Sequence, residues 1–222
     1  MMTDTFWIGF GDVHDEPGNI AAIPGLAEAE AVIISGDLTT RGGARGASRV
    51  IEETLRVNSR VFAQVGNMDG RDVAEYLRNQ GVDIHARALE LAPGVGLMGV
   101  GYSTPTPFNT PSEVADSQIK QWLEAAHEQA KDFKTLLLVA HDPPFGTAVD
   151  QVGAGNHVGS KAVREFIEAV QPDVCLTGHI HESAAKDTLG RTQVVNPGPL
   201  FGGGYAVISW EGDRLGAEIK QL

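Results

Sequence analysis

Ala31-Val32-Ile33-Ile34-Ser35-Gly36-Asp37 carries the pattern that decides the fold: an unbroken apolar run that stops at a glycine and an acid. A short apolar run without polar alternation reads as a strand buried on both faces, the kind found in a parallel sheet covered by helices. The same pattern recurs along the chain. Phe6-Trp7-Ile8-Gly9-Phe10 runs into Gly11-Asp12, and Val61-Phe62-Ala63-Gln64-Val65 into Gly66-Asn67. Leu136-Leu137-Leu138-Val139-Ala140 runs into His141, and Val174-Cys175-Leu176-Thr177 into Gly178-His179.

Helical spacing lies between the runs. Val50, Ile51, Thr54 and Leu55 share one face, as do Val73, Tyr76 and Leu77, with Gly81 placed to end that helix. Thr110-Pro111-Ser112-Glu113 reads as a capping box that opens a helix bearing Ile119, Trp122, Leu123 and Ala126. Ser160 is placed to cap a helix with Val163, Phe166, Ile167 and Val170. Alternating strands and helices predict an α/β protein with largely parallel pairing. The tail differs: Gln193–Val195, Tyr205–Ile208 and Gly216–Ile219 are strand-like with only turns between them, and Val95–Val100 is similar. These predict a second, more antiparallel sheet, and so a sandwich of two sheets flanked by helices.

The bulk numbers set limits on this reading. A chain of 222 residues with 42% hydrophobic content supports one domain, 1–222, since no linker or repeat interrupts it. A net charge of −12 argues against nucleic acid as the main partner, and no basic stretch with interleaved aromatics appears. A small anionic substrate stays compatible with that charge, because bound cations dominate a local field. The single cysteine, Cys175, excludes an intrachain disulfide and fits a reducing cytoplasm. Met1-Met2-Thr3-Asp4 shows no leader pattern, and no apolar run is long enough to span a membrane. Nothing in the pattern fixes an oligomeric state, a homodimer included.

Ligands of open α/β sheets bind at the carboxyl ends of the strands. Here those ends carry Asp12, His14, Asp37, Asn67, His141, His179 and His181. All are oxygen or imidazole donors suited to divalent metals, and each lies beside a glycine or turn. Any one of them alone is an ordinary turn residue; their recurrence at five strand ends is not explained by core packing.

These blocks resemble the calcineurin-like metallophosphoesterases. The order is Asp12-Val13-His14, Gly36-Asp37, Gly66-Asn67-Met68-Asp69, His141 in Ala-His-Asp-Pro-Pro, and Gly178-His179-Ile180-His181, with Asn196-Pro197-Gly198 similar to the family's late turn. The resemblance implies a four-layer α-β-β-α fold and two metal ions. Asp12, His14 and His181 would hold one, Asn67, His141 and His179 the other, and Asp37 would bridge them. It further implies a phosphoester hydrolase in which cations about 3.5–4 Å apart clamp the attacking and leaving oxygens and stabilise a bridging hydroxide. Mn, Fe, Zn, Ni and Co all suit such mixed donors.

One position departs from the family. Many members have His between the Asn and the acid of the third block; here that residue is Met68, which has no proton to give. Small bacterial and archaeal members resemble this chain there and favour phosphodiesters, which implies a phosphodiesterase; the alternatives are a monoesterase or nucleotide phosphatase, and a non-catalytic scaffold on the same fold. Asp37 and Asn67 are then the catalytic candidates among the ligands. His157, in Gly155-Asn156-His157, is a candidate to protonate the leaving group, with a metal-held water as the equal alternative. Asp69 reads as a cap for the helix near Gly70, and His85 and His127 as surface residues. Tyr102–Thr110, a Thr/Pro-rich loop with Phe108, reads as either a cover for the metal pair or a plain connection. The letters Gly94-Val95-Gly96-Leu97-Met98-Gly99 match a dinucleotide fingerprint, but no helix follows, so the motif's context fails.

Overall fold

The computed structural model describes residues 5–41 and 43–222; the reading of Met1–Asp4 as free of a leader lies outside them. Its strands are β1 (Thr5–Phe10), β2 (Val32–Ile34), β3 (Val61–Ala63), β4 (Arg87–Ala92), β5 (Val95–Val100), β6 (Thr135–Ala140), β7 (Gln151–Val152), β8 (Asn156–His157), β9 (Val174–Leu176), β10 (Ala185–Leu189), β11 (Thr192–Asn196), β12 (Gly204–Glu211) and β13 (Arg214–Gln221). The helices are α1 (Ala44–Val57), α2 (Arg71–Gln80), α3 (Asp116–Ala130) and α4 (Lys161–Val170).

One sheet runs β13-β12-β1-β2-β3 and the other β10-β11-β9-β6-β5-β4. Side-chain alternation in the apolar runs explains why both faces of each sheet are buried. Trp7 and Ile33 point into the layer between the sheets, where they meet Leu97, Leu137, Val139 and Leu176. Ile8, Phe10, Val32 and Ile34 point the other way, onto Val50, Ile51, Val73 and Leu77 of α1 and α2. Met98, Leu136 and Leu138 do the same against Ile119, Leu123, Val163 and Ile167 of α3 and α4. The result is the four-layer α-β-β-α sandwich.

The registers bring the functional loops together. Phe10 pairs with Ile34 and Ile34 with Ala63 in parallel, so the loops after β1, β2 and β3 leave side by side. In the other sheet Val100 pairs with Ala140 and Val139 with Leu176, which aligns the ends of β5, β6 and β9.

Two expectations are corrected. The tail does not build a separate antiparallel sheet. Strand β11 runs parallel to β9, while β12 and β13 extend the first sheet antiparallel from β1, and Val95–Val100 lies parallel to β6. Periodicity reports burial, not which strand is the neighbour. The Thr110–Glu113 box also opens no helix. Its segment is a turn: Glu113 accepts from Thr110 N, but Thr110 Oγ1 donates to that same carboxylate and Glu113 forms a β-bridge with Ser103, so α3 begins only at Asp116. Ser160 does cap α4, accepting from Val163 N at 3.1 Å, and Gly81 ends α2 in the left-handed region at φ 73°. Cys175 is buried in β9, and burial pushes its thiol up to about 12. Among the described residues no helix is long and apolar enough to cross a membrane.

Candidate metal centre

The donors reach the site on an unusual backbone. Asp12 (φ 51°), His14 (φ 49°), Asp37 (φ 50°) and His179 (φ 69°) all occupy the left-handed region. Asp and His tolerate it better than most residues, yet each such position costs on the order of 1–2 kcal/mol. The turn glycines let these residues close in. A Cβ on Gly66 would stand 2.1 Å from Asp37 Oδ1, and one on Gly36 (φ 130°) would stand 2.6 Å from His141 Nδ1.

Two groups of donors result. In the first, His14 Nε2 and His181 Nε2 lie 3.1 Å apart, and Asp12 Oδ1 is 3.3 Å from His181 Nε2 and 4.0 Å from His14 Nε2. In the second, Asp37, His141 and His179 bring donor atoms within 4.8 Å of one another, and Asn67 Oδ1 is 3.0 Å from His141 Nε2. Asp37 faces both groups: Oδ1 is 3.6 Å from His141 Nε2 and Oδ2 is 3.8 Å from His14 Nε2. Two imidazole nitrogens 3.1 Å apart share one proton at most. Their convergence with buried carboxylates is what a cation satisfies, and the donor set fits a pair of metal ions.

Protons and cations compete for these atoms. Burial raises the Asp12 carboxyl, but the His181 hydrogen bond and three nearby imidazoles hold it at about 2. Burial opposes charge on His141 too, but Asp37 overrides it and lifts His141 to about 9. His179 falls to about 4, through burial and the positive charge of His141. For His181 burial pulls down and the Asp12 hydrogen bond pulls up, and the bond wins.

Around the donors lies a cleft of about 710 Å³, whose walls include Arg41, Met68, Phe108 and Val158. Residues 104–110 contribute much of one wall, so the Thr/Pro-rich loop does border the metal donors. Its ends are tied to residues beside the ligands. Thr104 donates from N and Oγ1 to Asp142 Oδ2 at 2.7 and 2.8 Å, next to His141, and Asn67 Nδ2 donates to Thr110 Oγ1 at 2.9 Å.

The structure brings Asp12, His14, Asp37, Asn67, His141, His179 and His181 together; it does not bring His157 among them. Residues alternate across the β7–β8 hairpin. Val152 and Val158 line the cleft, whereas His157 pairs through Nδ1 with buried Asp150 Oδ1 at 2.7 Å and packs against Phe145. Asp69 is not a helix cap. Its carboxylate accepts from Leu38 N, Thr39 N, Thr39 Oγ1 and Gly66 N at 2.8–3.1 Å, which ties the Asp37 loop to the Asn67 loop. Burial and neighbouring Asp37 push that carboxyl up to about 7. His85 is not a surface residue either. Its ring packs against Tyr102 and Trp122, Nδ1 accepts from Gly101 N at 3.1 Å, and burial lowers it to about 4. His127 is half-buried against Phe166. Sequence reasoning missed Thr110 and Glu113 as supports of the site, although the capping-box spacing marks them as a bonded pair.

A family model described as calcineurin-like phosphoesterase matches residues 8–183. An uncharacterized protein of Methanocaldococcus jannaschii is 35% identical over 199 residues, 86% of this chain and 87% of that one. Among solved structures, a protein of Thermus thermophilus superimposes with a TM-score of 0.74 at 19% identity, covering 97% of this chain and 99% of the other. A dimetal phosphatase from Danio rerio superimposes with a TM-score of 0.69 at 12% identity, covering 98% and 96%. At these identities the two structures speak for the fold.

Proposed function

The chain belongs to the calcineurin-like phosphoesterase family, and we propose that within it this protein hydrolyses phosphodiesters at a pair of metal ions. One observation carries the reading: donors from five separate strand ends converge into two groups with Asp37 facing both. Asp12, His14 and His181 would hold one cation, and Asn67, His141 and His179 the other, with Asp37 between them. When bound, such a pair supplies Lewis-acid stabilisation of phosphoryl oxygens and a nucleophile at neutral pH. Mn, Fe, Zn, Ni and Co all suit the donors.

The protein's own groups supply the rest. Asp37 is held in place by Met68 N, which donates to its Oδ1 at 2.7 Å. Arg41 is the one Arg or Lys among the described residues of the cleft wall, placed to meet an anionic phosphoryl group. The diester preference is supported by Met68, which lines the cleft and stands at the sequence position where many family members carry His. A proton-transfer role for His157 would require its ring to leave Asp150 and cross to the cleft face of the hairpin. The lone, buried Cys175 supports a reducing compartment such as the cytoplasm.

The test is to strip the protein with chelator, reload it with each of these metals, and assay bis(p-nitrophenyl) phosphate against p-nitrophenyl phosphate. Metal-dependent hydrolysis with kcat/KM at least about tenfold higher for the diester, some 1.4 kcal/mol of discrimination, supports the reading. Faster monoester hydrolysis overturns the diester preference. No metal-dependent hydrolysis of either overturns the function.

A further inference from the structure

Exposed apolar surface is concentrated at one place on this molecule. Among the described residues the large apolar side chains left exposed are Leu55, Phe108, Val158, Phe201 and Leu222, and three of them surround the metal cleft. Phe108 is 72% exposed, and Val158 and Phe201 are each 42% exposed. Phe108 and Val158 line the cleft, and Phe201 packs its ring against those of His14 and His181, at 5.9 and 5.5 Å between centroids. Pro105, Pro107 and Val152 continue the same surface. An apolar rim gathered around a polar centre marks a binding surface rather than incidental exposure.

The polar residues of this wall have little left to offer a ligand. Thr104 Oγ1 donates to Asp142 at 2.8 Å, and Thr106 Oγ1 and Thr110 Oγ1 each donate to Glu113 at 2.6 Å. A hydroxyl has one proton, so all three are spent inside the protein. Thr106 and Thr110 also accept, from Phe108 N at 3.1 Å and Asn67 Nδ2 at 2.9 Å. The wall is thus poorly equipped for sugar hydroxyls. With Arg41 the single Arg or Lys among its described residues and the acid Glu182 also on the lining, it is also poorly equipped for several phosphate charges.

We propose that this collar is a subsite for an uncharged apolar or aryl ester group, so that the preferred substrate is a phosphodiester monoanion with a hydrophobic rather than a sugar substituent. The inference rests on the phosphodiesterase reading of the cleft and names the substrate class it serves. Polar atoms at the floor engage the phosphoryl group, and the exposed rings and aliphatic groups above it cover the ester substituent.

Calorimetric titration of the manganese-loaded protein with diphenylphosphinate and with dimethylphosphinate tests this, since the two carry the same single charge and have P–C bonds in place of the cleavable esters. Diphenylphosphinate binds tighter by about tenfold or more, the scale for covering a ring-sized apolar surface. Phe108→Ser and Val158→Ser, exposed positions whose folding is checked by circular dichroism, each shrink the ratio by roughly threefold or more. Equal affinities in the parent protein, or a ratio that neither variant changes, overturn the proposal. So do equal affinities accompanied by self-association that Phe108→Ser abolishes, which would assign the collar to contact between copies. Hydrolysis of bis(p-nitrophenyl) phosphate is followed in parallel. Turnover with equal affinities sinks the subsite and leaves the reaction; a tenfold ratio without turnover sinks the reaction and leaves the subsite.

Discussion

The carboxamide of Asn67 is oriented by the hydroxyl of Thr110: Nδ2 donates to Thr110 Oγ1 at 2.9 Å, which turns Asn67 Oδ1 toward His141 Nε2 at 3.0 Å. Thr110 can accept because its own proton goes to Glu113 Oε1 at 2.6 Å. Slight burial raises the Glu113 carboxyl, but the Thr106 and Thr110 hydroxyl bonds hold it at about 2, so it stays an acceptor at any working pH. A carboxylate outside the donor groups thereby decides which end of an amide faces the other donors, and so which would meet a bound cation.

Thr110→Val removes the acceptor while keeping the shape. Affinity for one of the two metals falls by about 10–100-fold, the usual cost of losing a hydrogen bond behind a ligand. Thr110→Ser restores it to within a few-fold. Calorimetric metal titration of chelator-treated protein checks both, and unchanged two-site binding in the valine variant would refute the orientation argument.

Asp37→Ala and His179→Ala remove donors that no neighbour replaces. Metal-dependent hydrolysis drops by more than about 100-fold, beyond the cost of losing only a supporting partner. Elemental analysis finds less metal per chain, and far-UV circular dichroism stays native. Either variant with full turnover would refute the assignment of the site.

His157→Asn separates anchor from acid. The ring bonds buried Asp150, whose carboxyl is raised by burial but lowered overall by that bond and three backbone donors. Losing the ring lowers the melting temperature, by an amount matching about 1–3 kcal/mol, and leaves kcat within a few-fold. A hundredfold loss of kcat with the melting temperature unchanged would instead make His157 the leaving-group acid.

His85 predicts an acid-side loss of stability. Its folded value, about 4, lies below the ordinary 6.5, so the unfolded chain takes up a proton that the folded chain resists. Stability is therefore full above about pH 6.5 and declines as pH falls toward about 4, by up to about 3 kcal/mol from this residue. His85→Phe flattens that part of the curve. Urea unfolding of metal-free protein at several pH values measures it, and parallel curves for the two proteins would count against it.

The donors were readable in the chain because their physics is local. An apolar run shows where a strand is buried, and the Gly-Asp, Gly-Asn or Gly-His after it shows what stands at its end. What could not be read was set by distant residues. Val95–Val100 has the same letters whether its neighbour is β6 or a tail strand. Asp69 looks like a cap beside Gly70 because Leu38 and Thr39, its partners, lie about thirty positions away. His85 stands in line with charged Asp83 and Arg87, and distant Trp122 and Tyr102 pack against its ring. The hairpin turns His157 away from the cleft by a pairing register that a two-residue strand does not announce.

The left-handed backbone at Asp12, His14, Asp37 and His179 has a consequence for how this protein ages in evolution. Glycine would relieve the backbone at each of these positions and remove the donor with it, so a drift to glycine there would exchange reactivity for a more relaxed backbone.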